Sequence, residues 1–163
     1  MSDTILSVKN LCVEFKVYEG RVKAVRDVSF DLKRGETVAI VGESGSGKSV
    51  TIKSIMGILA GNAVVTGGEI AFDGRDLLKT TEHEFQSIRG KRISLIFQDP
   101  LSALNPIMKI GKQITETIMV DGKRTKKEAR ERTLELLEAV GIDEPERRYD
   151  QYPFQFSGGM RQR

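Results

Sequence analysis

A two-lobed α/β fold follows from three features of the sequence. Residues 37–59 read as strand, glycine-rich loop and helix. Ahead of them, residues 5–32 alternate apolar and polar side chains as antiparallel strands do. From 105 to 155 nearly every periodic stretch is helical. The first 75 residues are therefore strand-rich, and the later ones form a helical lobe. The chain's 163 residues suffice for a core, and they contain no internal repeat or low-complexity tract.

Leu6, Val8, Leu11, Val13, Phe15 and Val17 alternate loosely, with an interruption at Lys9-Asn10, and predict one or two strands. Glu19-Gly20 is a turn. Val22, Ala24, Val28, Phe30 and Leu32 continue the alternation, and Lys33-Arg34-Gly35-Glu36 is the next turn. Thr37-Val38-Ala39-Ile40-Val41 is apolar and β-branched, which predicts a buried strand. Positions 52, 55, 56 and 59 place apolar residues at helical spacing, and Gly61-Asn62 breaks the pattern. The stretch from Gly67 to Phe72 predicts a strand closing on the Asp73-Gly74 turn. Residues 82–89 predict a short polar helix, 93–97 a second apolar strand, and 110–120 a helix with Ile110, Ile114 and Ile118 at spacings of four. The clearest helix runs from 125 to 140. Thr125 and Glu128 form a capping box, and Ala129, Thr133, Leu134, Leu137 and Val140 line one side. Glu128 and Arg132 are spaced to pair, and Gly141 is the stop. A further helix starts at Pro145.

Bulk properties exclude several classes. The +3 formal charge comes from 26 basic and 23 acidic residues spread along the chain, so it does not point to a nucleic-acid surface. Cys12 and His83 each stand alone, which excludes an internal disulfide and offers no metal cluster. The plain readings are a small apolar strand residue and an exposed helix-start residue. No run approaches the roughly 18 apolar residues of a membrane span. Residues 1–7 lack the form of a signal peptide, so a cytoplasmic location is the expectation.

Gly42-Glu43-Ser44-Gly45-Ser46-Gly47-Lys48-Ser49 fits the P-loop pattern G-x-x-x-x-G-K-[ST] without mismatch, between a predicted strand and a predicted helix. Triphosphate oxygens need many backbone N–H groups at once. Glycines allow that close approach, and a helix opening at about Gly47 adds its first-turn N–H groups and positive dipole end. Lys48 supplies a charge for the β and γ phosphates, and Ser49 offers its hydroxyl to Mg²⁺. The bland alternative is a glycine turn before a helix. The flanking strand and helix weigh against it.

At Ser157-Gly158-Gly159-Met160 the chain resembles the signature of ATP-binding-cassette (ABC) ATPases, usually Leu-Ser-Gly-Gly-Gln, with Phe156 in place of Leu and Met160 in place of Gln. The order also matches: P-loop, Gln98 after an apolar run, a helical segment, then the signature. The wording at 42–50, at Ile96-Phe97-Gln98-Asp99-Pro100 with Leu104-Asn105-Pro106, and at 156–163 is similar to the ATPase subunits of bacterial oligopeptide and dipeptide importers. Phe154 departs from that branch, which commonly has His there.

The resemblance implies a P-loop NTPase core of the ABC type with an antiparallel β subdomain and an α-helical subdomain. The expected bounds are about 1–100 for the β subdomain and core, about 101–156 for the helical subdomain, and 157–163 for the signature. It implies ATP and Mg²⁺ as cofactors. Residues 42–49 would hold the nucleotide. Phe15, with Tyr18 second, would stack on adenine, or Phe15 is simply an inward strand residue. Gln98 and Ser49 would serve the metal, with Gln98 also a candidate for positioning water. Ser157, Gly158, Gly159 and Met160 would act on the ATP of a partner subunit, the plain alternative being a Ser N-cap followed by glycines. It also implies two membrane permeases, a second and different ATPase subunit, and indirectly an extracytoplasmic solute-binding protein. No nucleic acid is expected, and the location is the inner face of the cell membrane.

In the family an apolar strand ending in Asp-Glu, and then a switch His, follow the signature. Neither is present in these residues, and neither Asp73 nor Asp99 supplies an adjacent Asp-Glu pair. The expectation is a partial ATPase domain with weak or no hydrolysis by itself and reduced stability from an open sheet edge. Two other readings stay open at this point: a nucleotide-holding regulatory module, and a soluble ABC protein acting on nucleic acid. A P-loop kinase or GTPase explains neither the signature nor the helical segment.

Overall fold

The computed structural model describes residues 3–97, 99, 103–120 and 122–163. They divide into two compact units, Met1–Leu95 and Ile96–Arg163.

The first unit is organised by a four-stranded antiparallel sheet of order β2-β1-β3-β4: β1 (Thr4–Val17), β2 (Gly20–Lys33), β3 (Ala63–Phe72) and β4 (Arg75–Asp76). The interruption at Lys9-Asn10 is a bulge inside one long strand. Leu6 and Val8 point into the core, and one extra residue returns Leu11 and Val13 to the same face. Asn10 takes φ 49 there, and its side-chain amide donates to Asp27 Oδ1 at 2.6 Å. The first turn falls at Tyr18-Glu19, between the paired Val17 and Gly20. Asp73 and Gly74 both have positive φ, 48° and 79°, the two-residue hairpin turn that Asp-Gly favours.

Two helices close the core: α1 (Lys48–Ile55) and α2 (Glu82–Ile88). Ile55, Phe85 and Ile88 pack with Leu6, Val8, Leu11, Val13, Ile70 and Phe72. Each such side chain is worth about 1.5–3 kcal/mol on burial. The first helix stops at Gly57, whose φ is +63°, before the expected break at Gly61.

Two expected strands do not form. Residues 37–41 carry no ladder, and Val38, Ile40 and Val41 are exposed, Val41 to 87%. Residues 93–97 hold a single bridge, Arg89 to Ile93, with Ile96 93% exposed. Strand propensity measures fit to a pleated surface beside hydrogen-bonding neighbours. Among the described residues no strand lies beside either run, so β-branched composition alone does not make them strands.

Asp73 binds two guanidiniums, accepting from Arg34 at 2.8 Å and from Arg92. The Arg92 hydrogen bond, then the charges of Arg92 and Arg34, hold its carboxyl below the ordinary 3.8. A lowered folded pKa means the contribution is complete above the unfolded pKa and is lost as pH falls through the folded one. Thermal melts from pH 7 to pH 3 should therefore show stability falling below about pH 4. Asp73→Asn should flatten that fall; an unchanged slope would refute the assignment.

The second unit comprises α3 (Ile110–Met119), α4 (Lys126–Ala139), α5 (Pro145–Tyr149), a 3₁₀ turn (Pro153–Gln155) and α6 (Gly158–Gln162). Its centre is Ile110, Leu137, Ile142 and Phe156. Ala129, Thr133 and Leu137 form the buried side of α4, whereas Val140 is 41% exposed because it caps the helix just before the Gly141 turn. The expected Glu128–Arg132 pair is absent. Glu128 is committed to the capping box, accepting from Thr125 N at 2.8 Å, and Arg132 pairs with Glu135 instead. Thr115, Thr133 and Tyr149 join their hydroxyls at 3.0 and 2.9 Å, which ties α3, α4 and α5 together.

Gly111 lets α3 touch the Tyr149 ring: a Cβ at this position would lie 2.2 Å from its Cγ. That ring atom is close to the backbone and has little freedom to move. Gly111→Ala should cost about 1–3 kcal/mol, read as a fall in Tm. A melt within a degree of wild type would show that α3 can shift without cost.

Candidate functional site: the glycine loop at the start of α1

The loop joins the unladdered segment 37–41 to α1. Gly47 is the N-cap of α1 at φ +92°, and Lys48 is its first residue. The first-turn N–H groups of a helix lack intrahelical partners and face outward with the positive end of the dipole. Lys48 Nζ folds over the loop and donates to Gly42 O at 2.7 Å, Glu43 O at 2.6 Å and Ser46 Oγ at 3.2 Å. Its charge therefore sits over the glycine turn. Ser46 N donates to Glu43 O at 3.2 Å, closing the turn from inside. Ser49 is exposed in the first turn of α1, one residue from Lys48. Gly45, Ser46, Gly47, Lys48, Ser49 and Val50, with Ala24 of β2, line a cleft of about 140 Å³.

Helix α1 holds the loop against the sheet. Thr51 and Ser54 are buried, and their hydroxyls donate back to Gly47 O at 3.1 Å and Val50 O at 2.8 Å, so neither is left unpaired in the core. At the other side of the loop, a Cβ on Gly47 would lie 2.4 Å from the carbonyl oxygen of Ala24. Ala24 is a wall of the site that motif reading missed. No sequence signal marks it, because the contact is made by its backbone.

The remaining expected residues are placed as follows. Phe15 lies on β1, half-buried, paired with Val22 of β2 and Ala63 of β3, two residues along β2 from Ala24. Tyr18 is fully exposed at the hairpin tip. Gln98 lies outside the described residues. Ser157 is the N-cap of α6, accepting from Met160 N at 3.2 Å, with Gly158 and Gly159 exposed behind it. Phe156, in the position of the usual Leu, is buried at 4% and anchors the turn, and Arg161 Nε donates to its carbonyl at 2.8 Å. The glycine-loop residues are thus brought together in the first unit and the signature residues in the second. Among the described residues no cluster of His, Cys, Asp or Glu could hold a metal, so a cation here would depend on hydroxyl, amide and ligand oxygens.

A lysine folded over a glycine turn at a helix N-terminus, packed on a sheet, defines a P-loop protein. The family model for the ABC transporter matches residues 25–163, and the chain belongs to that family. It is 55% identical over 162 residues to a dipeptide transport ATP-binding protein, DppD, of Lactococcus lactis, covering 99% of this chain and 46% of that protein. It is 54% identical over 160 residues to the oligopeptide transport ATP-binding protein OppD of Bacillus subtilis, covering 98% and 45%. The chain thus spans about half the length of the curated relatives it matches. Among solved structures, the dimeric form of a bacterial ABC transporter cassette superposes with a TM-score of 0.81 at 28% identity, over 96% of this chain and 65% of that one. A post-hydrolysis state of the same cassette, bound to ADP and Pi, gives 0.78 at 27% identity, with the same coverage.

Proposed function

We propose that the chain is the nucleotide-binding portion of the ATP-binding subunit of an ABC importer for peptides or a related small solute. The observation that carries this is the 54–55% identity, over 98–99% of the chain, to dipeptide and oligopeptide transport ATP-binding proteins. The loop geometry fits the ligand: the first-turn N–H groups of α1 and the Lys48 ammonium stand together at the loop, and Gly47 allows the left-handed turn and the close approach to β2 that set them there.

In this reading residues 42–49 cradle the phosphates, Lys48 turns from the loop carbonyls to the β and γ oxygens, and Ser49 with Gln98 holds Mg²⁺. Phe15 stacks on adenine; its register close to Ala24 supports that role. Ser157, Gly158, Gly159 and Met160 address the nucleotide of a second ATPase subunit, a role supported by the dimeric cassette among the structural relatives. Two permeases and a solute-binding protein complete the importer, and the subunit works peripherally at the inner membrane face. No helix of the described residues is long and apolar enough to cross a membrane.

Asp73, the acid that follows the apolar run of β3, is bound to Arg34 and Arg92 in a hairpin turn and is not a base for water. By itself the 163-residue chain should bind Mg-ATP saturably, followed with a fluorescent ATP analogue, and release phosphate no faster than its Lys48→Ala variant. Absence of competable binding would refute the nucleotide reading. Phosphate release well above the variant would refute the non-hydrolysing one.

A further inference from the structure

The C-terminal end of α1 is as firmly held as its loop end. Gly57 N donates to Ser54 O at 3.1 Å and Ile58 N to Lys53 O at 3.0 Å, a Schellman-type close. That pattern satisfies the carbonyls of Lys53 and Ser54 and leaves the next ones to be met from outside. Arg89, the C-cap of α2, meets two of them: Nε donates to Met56 O at 2.8 Å and Nη2 to Gly57 O at 2.9 Å.

The guanidinium that does this is fixed from two other sides. Glu82 Oε1 accepts from Nη1 at 2.5 Å and Glu82 Oε2 from Nη2 at 3.1 Å. The Phe85 ring lies 4.4 Å below its carbon. The Arg89 side chain is only 23% exposed, unlike most cations of the chain. A planar fork with two donors for the helix end and two for a carboxylate is a task that lysine cannot perform. The positive charge also sits where the helix dipole favours it. Phe85 and Ile88 are 5% and 3% exposed, so α2 is itself locked into the core of the unit.

We propose that Arg89 is a positioning residue for the phosphate loop: it clamps the C-terminal end of α1 to α2 and so sets where Lys48 and Ser49 stand. An eight-residue helix is about 12 Å long. A pivot of about 10° at the clamp would carry the Lys48 end roughly 2 Å. Displacement on that scale is enough to degrade a polar constellation, which tolerates about 0.5 Å and 10–20°. The proposal rests on the reading of the loop as a nucleotide site.

The test compares Arg89→Met, Arg89→Lys and Glu82→Gln with wild type. It measures the Kd of a fluorescent Mg-ATP analogue well below each variant's Tm, and the Tm without nucleotide. Arg89→Met should weaken binding about tenfold in the folded chain. Arg89→Lys, reaching one carbonyl, should recover part of it. Glu82→Gln keeps both carbonyl bonds and should lower Tm while leaving Kd within about twofold. A purely structural staple would instead lower Tm in all three with Kd unchanged, and that would overturn the proposal. Should Arg89→Met fail to fold, an unchanged Kd for Arg89→Lys overturns it equally. Wild type binding no better than Lys48→Ala would be a different failure: the nucleotide reading falls, and the proposal falls with it.

Discussion

Replacing Lys48 by alanine should weaken Mg-ATP binding by about 10- to 100-fold while leaving the fold intact. The reasoning separates the two roles of the side chain. Toward the protein, Nζ bonds the exposed loop carbonyls of Gly42 and Glu43 and the hydroxyl of Ser46. Those carbonyls remain open to water when the ammonium is removed, so the cost is about 1 kcal/mol or less, a small shift in Tm. Toward a nucleotide, the same ammonium is the cation of the loop placed above the glycine turn. A hydrogen bond to a charged group is worth about 1.5–3 kcal/mol, and each 1.4 kcal/mol is tenfold in affinity. Affinity should therefore fall far more than stability, measured by titration and melting of the same sample. Equal Kd values for the two chains would mean that the loop does not hold phosphate through Lys48.

Gly47→Ala should differ in profile, with a large loss of stability accompanying the loss of binding. Gly47 stands at φ +92°, where a side chain costs about 1–2 kcal/mol. Its Cβ would also meet the Ala24 carbonyl oxygen at 2.4 Å. That oxygen belongs to β2, whose neighbouring Val25 is paired with Val13 in the ladder, so it cannot move without disturbing the sheet. Overlap of this kind adds about 1–3 kcal/mol. The sum, about 2–5 kcal/mol, corresponds to roughly 4–20 °C in Tm for a chain of this size. Gly158→Ala is the control. It has no strained φ, and a Cβ there meets nothing within 4 Å. Similar melts for the two variants would show that the contact with β2 does not constrain the loop.

Local chemistry was legible in the residues. The capping box at Thr125 and the Asp73-Gly74 hairpin turn form as their residue types dictate, because each is closed by groups within four positions of one another. The glycine loop was legible for the same reason: its carbonyls, Lys48 and the helix start are consecutive. The break in alternation at Lys9-Asn10 was visible too, though only the pairing of three strands identifies it as a bulge. Residues 37–41 and 93–97 read as strands and are not laddered. Their composition describes a preference that needs a partner strand, and among the described residues they have none beyond the single Arg89–Ile93 bridge. Glu128 could serve either Arg132 or the cap of α4. Two bonds to Thr125 compete with one exposed ion pair, and the cap prevails.

By itself, then, the sequence determined which segments bend, cap and cradle, and it pointed to a family through motifs in order. The tertiary structure alone decided what stands around those motifs: the Ala24 carbonyl against Gly47, the Arg89 clamp on the far end of α1, and the burial of Phe156 under the signature turn. Each of these joins segments distant in the chain: Ala24 with Gly47, Arg89 with Met56 and Gly57, and Phe156 with Ile110, Leu137 and Ile142. Short-range patterns are set by bond rotations and neighbouring side chains. Long-range contacts are set by how the packed core brings distant segments together.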